Sequence, residues 1–219
     1  MTHLLLARKT SHPKRFALWV ALLLVFVLGM GAGAAFKRSP SVQVGTPITP
    51  AQPMPNFELL DPNSQLTRLS DLRSKHVLLF FGYTHCPDFC PISLVNFKRI
   101  KAALGEQAAG VHFVFISVDG ERDTPDVMKH YIASFDPSFI GLTERAFVVA
   151  QVAAPYGARF ERKITRTNQT DYVVGHTTDM YLLDGEGGLV KRYAYETEAA
   201  AIAQDVANIL KQDSLASPP

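Results

Sequence analysis

Residues 55–212 are predicted to form an α/β domain with a mixed sheet flanked by helices, on three observations. Val77–Tyr83 (VLLFFGY) and Val111–Val118 (VHFVFISV) are unbroken apolar runs, as expected of strands buried on both faces. Helical spacing separates them, which implies a parallel pair joined by a crossover. Met180–Leu183 and Leu189–Tyr195 flank the turn Asp184-Gly185-Glu186-Gly187, which implies an antiparallel pair.

The elements follow in order. Phe57–Leu60 and Leu66–Leu69 read as short strands around Asp61-Pro62-Asn63. Cys86–Leu104 has helical periodicity, with Ile92, Val95, Ile100 and Leu104 as its expected inward stripe. Thr124-Pro125 opens a second helix, with Thr as N-cap and Pro at the first helical position. A third is expected from Thr143-Glu144 to about Ala154. Ala158–Ile164 and Tyr172–Val174 suggest a hairpin around Asn168. Thr197 caps an Ala-rich helix to about Lys211, and residues 213–219 are expected to be a disordered tail. This order matches a thioredoxin-like architecture.

The N-terminal part reads differently. Residues 1–15 form a basic arm, and Phe16–Phe36 carries no charge. A membrane-spanning helix needs about 20 such residues. The run is longer than the roughly 7–15-residue core of a cleavable signal, so a retained anchor is the expected reading, with cleavage as the alternative. Arg8, Lys9, Lys14 and Arg15 outweigh Lys37 and Arg38, which puts the N-terminus in the cytoplasm and the C-terminal domain outside. The short arm points to a bacterial inner membrane with a periplasmic domain. Pro40, Pro47, Pro50 and Pro53 mark residues 37–54 as a semi-extended linker that makes no ladder pairs. The net charge of +2 with scattered basic residues argues against a nucleic-acid partner.

The chain has two cysteines, both within Thr84-His85-Cys86-Pro87-Asp88-Phe89-Cys90-Pro91. They lie where a buried strand ends and a helix begins, the edge of an α/β sheet at which ligands bind. A helix N-terminus also favours the thiolate, which is both a nucleophile and a soft metal ligand. Regular helix starts either at Pro87, with Pro91 removing a bond, or only at Pro91. A structural disulfide is the plain alternative, but closing so short a loop stabilises little.

A metal site needs a third ligand. Of seven histidines, His3 and His12 fall on the other side of the membrane, and His76, His112 and His130 read as surface or boundary residues. His85 neighbours Cys86, yet successive residues of an extended chain point to opposite faces. His176 precedes the Met180–Leu183 strand, in the loop that faces the cysteine motif in thioredoxin-like folds and usually carries a cis-proline there. Two thiolates and an imidazole suit copper(I); an added oxygen would suit copper(II), and zinc would want a fourth ligand. Asp119, Glu121 and Asp123 read as turn and helix-cap residues, and Asp88 as a turn residue or a tuner of the thiols.

Four stretches together are similar to the Sco/SenC family, copper-binding assembly factors of cytochrome c oxidase. They are Phe81–Pro91, then Ser117-Val118-Asp119-Gly120-Glu121-Arg122-Asp123-Thr124-Pro125, then Phe135-Asp136-Pro137 with Phe139–Thr143, and His176 ahead of Tyr181–Asp184. The resemblance implies that Cys86, Cys90 and His176 are copper ligands. It also implies a partner, the copper-site subunit of a cytochrome c oxidase, and a periplasmic copper donor or thiol reductant. Gly120 stands where the family usually has proline, and Gly175 where many members have aspartate.

Two functions from different classes follow. One is a copper metallochaperone that hands its ion over by ligand exchange. The other is a thiol–disulfide oxidoreductase in which Cys86 and Cys90 are the redox pair and the oxidase cysteines are the client. The wide CxxxC spacing and the missing cis-proline argue against a general thioredoxin. A peroxidase or redox sensor rests on fold analogy alone.

Overall fold

A computed structural model describes residues 44–165 and 172–216. Its centre is β4 (His76–Gly82), in which all seven residues are buried. Such a strand must have neighbours on both sides and cover on both faces. It pairs in parallel with β5 (Val111–Ser117) and antiparallel with β9 (Met180–Leu183). Beyond β9 lie β10 (Gly188–Tyr193) and β1 (Thr46–Pro53), and beyond β5 lies β6 (Ile140–Leu142). The order is β1-β10-β9-β4-β5-β6, a mixed sheet as expected, with a parallel half and an antiparallel half. Leu78, Leu79, Phe80, Val114, Phe115 and Ile116 are fully buried. Each such side chain is worth about 1.5–3 kcal/mol of burial, so this strand pair anchors the fold.

Among the described residues four α-helices pack around the sheet: α1 (Phe89–Leu104), α2 (Pro125–Phe135), α3 (Ala146–Ala153) and α4 (Ala199–Ala216). The Thr124 side chain caps α2 by accepting from the Val127 N–H, with Pro125 in the first turn, as its sequence predicts. Two hairpins complete the fold. One pairs β2 (Glu58–Leu60) with β3 (Leu66–Arg68), and the other pairs β7 (Phe160–Ile164) with β8 (Tyr172–His176).

The expected linker is corrected over its second half. Thr46–Pro53 is a strand, paired antiparallel with β10. It is an edge strand, so the N–H groups its prolines lack are missed only where no ladder requires them. The ladder also shifts register between Pro47 and Gln52. The tail is corrected too, since α4 continues through Ala216.

The inward stripe of α1 is shifted from the expected one. Cys90, Ser93, Leu94, Phe97, Ile100 and Leu104 are buried, while Ile92 and Val95 are exposed. The buried set advances by three and four residues, and α1 packs against α4 along its length. Three-residue β6 was too short to show periodicity.

The anchor reading of residues 16–36 lies outside the described residues. Among those described, no helix is long and apolar enough to cross a membrane.

Candidate metal centre

The site grows from the end of β4. Gly82 is its last residue, and a Cβ there would fall 2.8 Å from the Cys90 sulfur and 2.7 Å from the Phe80 ring. The missing side chain makes the space that the sulfur fills. The chain then turns through Thr84 and His85 before α1 begins at Phe89. Neither expected helix start is the observed one. Pro91 is the third residue of α1, inside the first turn, where no intrahelical N–H bond is lost.

Cys90 is fully buried in that first turn and accepts a hydrogen bond from the Tyr83 N–H at 3.4 Å. Cys86 sits in the loop before it, 7% exposed, and both sulfurs are free thiols. His176 is the last residue of β8, and its Nε2 lies 3.3 Å from the Cys90 sulfur. Its Nδ1 lies 2.9 Å from the Thr177 carbonyl oxygen. A carbonyl only accepts, so Nδ1 carries the hydrogen and Nε2 faces the sulfurs. The ring packs edge-on against Tyr83 at 5.7 Å and Phe80 at 5.8 Å. The two sulfurs and the imidazole nitrogen all lie within 4.8 Å of one another. Two ligand bonds of about 2.0–2.3 Å span at most about 4.6 Å, so only a slight closing of the group is needed for one ion to touch all three atoms. Among the described residues this is the one group of that kind.

The two thiols are unequal. The hydrogen bond from Cys90 pulls the Cys86 thiol far below its ordinary range, against burial, with the Cys90 and Asp88 N–H groups adding to it. Burial, then the hydrogen bond to Cys86, pushes Cys90 the other way. Before any ion binds, Cys86 is the thiolate and Cys90 keeps its proton.

The other histidines among the described residues stand apart from this group. His85 is exposed, with Nδ1 3.0 Å from the Thr84 hydroxyl and 3.6 Å from Asp123. His76 lies 2.9 Å from Asp213 on α4, and the Nδ1 of His130 is 2.8 Å from the Asp126 carbonyl. Asp88 occupies the N-cap position of α1, but its side chain caps nothing. It is exposed and lines an open cleft of about 350 Å³ beside Cys86, together with Phe89, Lys163 and His176.

The acidic residues of 119–123 do more than the turn and cap chemistry expected of them. The Asp123 carboxylate is fully buried and accepts from the Thr84 N–H, the Thr84 hydroxyl and the Ser117 hydroxyl. It thereby ties the cysteine loop to the end of β5, while Thr124 does the capping. Asp119, also fully buried, accepts from Tyr172 and Arg122. No local pattern announces these contacts, which join residues up to 53 positions apart. Gly82 did carry a signal, a glycine inside a strand of bulky residues, which marks a close approach.

Both departures from the family pattern have a physical setting. A Cβ at Gly120 would fall 2.0 Å from the Glu144 carbonyl oxygen, so this backbone approach excludes any side chain, proline included. A Cβ at Gly175 would meet nothing closer than the Lys163 Cε at 3.8 Å, so that position is open.

The chain is 34% identical over 148 residues to the SCO2-like protein of Rickettsia prowazekii, covering 68% of this chain and 72% of that one. A copper-bound structure of Bradyrhizobium japonicum ScoI matches at 37% identity and a TM-score of 0.63, covering 73% of this chain and 98% of that one. Copper-bound ScoI of Arabidopsis thaliana matches at 32% identity and a TM-score of 0.67, with the same coverage. The SCO1/SenC family model matches residues 46–211, from the first strand of the sheet into its last helix, and the chain therefore belongs to the SCO1/SenC family.

Proposed function

We propose that this protein binds one copper ion through the Cys86 and Cys90 sulfurs and His176 Nε2, and delivers it to the binuclear copper site of a cytochrome c oxidase subunit. The carrying observation is the convergence of those three atoms within 4.8 Å, with the imidazole held in the tautomer that faces the sulfurs. The copper-bound relatives support the choice of metal, and soft thiolates favour copper(I). Cys86 is already a thiolate, so one further proton, that of Cys90, must leave as copper enters. The 7% exposure of Cys86 against none for Cys90 makes Cys86 the ligand that client cysteines reach first in ligand exchange. In this proposal residues 16–36 anchor the domain on the periplasmic face of a bacterial inner membrane.

The unequal thiols favour a second reading, reduction of the client's disulfide. The Cys86 thiolate would attack one client sulfur, breaking the client S–S bond and forming a mixed disulfide. Cys90 would then lose its proton to solvent, attack the Cys86 sulfur and release the client as a dithiol, leaving Cys86–Cys90 oxidised.

His176→Ala separates the two. Copper stoichiometry of the full-length reduced protein is expected to fall from one per chain to near zero in the variant, while dithiol cycling persists. Equal copper affinity in variant and parent would remove His176 from the ligand set. A parent that binds no copper but cycles its dithiol would put the reductase first.

A further inference from the structure

The hairpin that carries His176 belongs to neither half of the main sheet, since β7 and β8 pair only with each other. Two-stranded hairpins are at best marginally stable alone, so contacts with the body must set where the imidazole sits. The strand period of two turns Tyr172, Val174 and His176 to one face, the first two buried and the third half-buried. Tyr172 is held from three sides. Its ring lies between two guanidiniums, with Arg122 Cζ 3.7 Å and Arg162 Cζ 4.1 Å from its centroid. Its hydroxyl donates to buried Asp119 at 2.6 Å. Its carbonyl accepts from Arg122 Nη1 at 3.1 Å.

The same cluster takes hold of the other strand. Arg162 of β7 pairs with Glu121 at 3.0 Å and lies 3.7 Å from Asp119. Both strands are thus pinned to the 119–122 turn, at a point about 14 Å along β8 from His176 at the usual strand rise. Between clamp and ligand, the Val174 N–H donates to the Tyr83 hydroxyl at 3.3 Å, and the Tyr83 ring is one of those that pack on His176.

We infer that Tyr172, seated between Arg122 and Arg162 with its hydroxyl on Asp119, is the clamp that positions His176 against the two cysteines. These four are positioning residues and touch no metal. The inference rests on the reading of His176 as a copper ligand. The guanidiniums and carboxylates balance in charge, so a change at Tyr172 alters the position of the imidazole without altering the charge around the site. The clamp also leaves the cysteine loop untouched, because that loop is tied down separately through Asp123.

The test uses the full-length protein and the variants Tyr172→Ala, Tyr172→Phe and Arg162→Ala. Two readouts are taken: copper(II) affinity with the nitrogen hyperfine coupling in electron paramagnetic resonance, and amide exchange at Val174 without metal. Tyr172→Ala is expected to lose about 10–100-fold in affinity, the range for partners that orient a ligand. Its nitrogen coupling should weaken, and Val174 exchange should quicken while exchange in β4 stays parental. Tyr172→Phe keeps the ring stack and should recover most of the loss. Should Tyr172→Ala fail to fold, Arg162→Ala, which alters a half-exposed side chain but also removes a charge, is read by nitrogen coupling and Val174 exchange alone, with the same expectations at smaller size. A folded variant with parental affinity, hyperfine coupling and exchange overturns the clamp and leaves the proposed function standing. If the parent binds no copper, the proposed function falls, and Val174 exchange alone decides the clamp: parental exchange in the variants overturns it.

Discussion

Cys90 sits in the first turn of α1 against β4, a strand paired on both sides and buried throughout. His176 sits at the end of β8, a strand with one partner, and that partner is largely exposed. The Cys90 sulfur is therefore fixed by an element packed on the central strand, whereas the imidazole depends on a hairpin held by a few polar contacts. In the proposed copper transfer the two halves of the site would have different jobs: the sulfurs would keep a soft ion from being lost, and the imidazole would let it go. Elements that move in function are drawn from the less stable parts of a structure.

The largest effect expected on the sulfur half comes from Asp123→Ala. It strands two Thr84 donors and the Ser117 hydroxyl in or near the core. Each unsatisfied buried group costs about 1–3 kcal/mol, so a loss of roughly 3 kcal/mol or more is expected in denaturant unfolding. Copper binding should fail with it, because the cysteine loop loses its tie to β5. An unchanged midpoint would show that the loop does not depend on this carboxylate.

Gly82→Ala comes next. The added methyl would press on the Cys90 sulfur, Phe80 and Phe115 together, all at 2.7–2.8 Å. Overpacking of this kind costs about 1–3 kcal/mol. Here it should also displace Cys90, so copper affinity should drop further than stability does. If affinity and stability fell in proportion, the glycine would be a packing residue only.

Much of the sulfur half was legible in the sequence and little of the hairpin half's support was. Apolar runs at Val77–Tyr83 and Val111–Val118 announced the central strands because full burial leaves no polar interruption. The Cys86–Cys90 spacing at a strand-to-helix junction announced the sulfur pair. The position of His176 before β9 was readable, and it is brought to the sulfurs as expected. Its tether was not, because Tyr172, Asp119, Arg122 and Arg162 come together only in three dimensions. Strand β1 was missed because four prolines read as a linker, and only an edge position makes three of them compatible with pairing. The shifted face of α1 shows the same limit: Ile92 and Val95 are as apolar as Leu94 and Phe97, and only the docking on α4 selects between them.

A smaller effect distinguishes the two sulfurs. An ordinary thiol loses about tenfold in alkylation rate for each pH unit below its pKa, because only the thiolate reacts. The hydrogen bond from Cys90 holds Cys86 ionised, against burial, well below that range. Its labelling rate should therefore change little between pH 8 and pH 5, and Cys90 should remain unlabelled throughout. A depressed pKa has a definite sign for stability as well: the thiolate's contribution is present above the unfolded-state pKa and fades as pH falls through the folded one. Cys90→Ala removes the chief donor, and the Cys86 rate should then regain a steeper dependence on pH. A flat profile in that variant would move the cause from Cys90 to the backbone N–H contacts.

Gly175→Asp is expected to be the mildest change, and it bears directly on the hairpin half. The site for the new side chain is open, with Lys163 Cε at 3.8 Å and its Nζ at 3.9 Å. Strand position 175 is exposed, on the opposite face from His176. The new carboxylate would meet the Lys163 ammonium, an exposed pair worth less than about 1 kcal/mol, so thermal stability should hardly move. Its charge would still stand one residue from the ligand. A negative charge near the site favours the more highly charged ion, so copper(II) affinity should rise by less than about tenfold, a shift below roughly 1.4 kcal/mol, while copper(I) affinity stays level. Pairing Gly175→Asp with Lys163→Ala sharpens the result. Without the ammonium to neutralise it, the carboxylate should raise copper(II) affinity further than it does alone. If the double variant gains nothing over the single one, Lys163 is not the partner; if the single variant itself keeps the parental copper(II) affinity, the residue at this family position leaves the oxidation-state preference untouched.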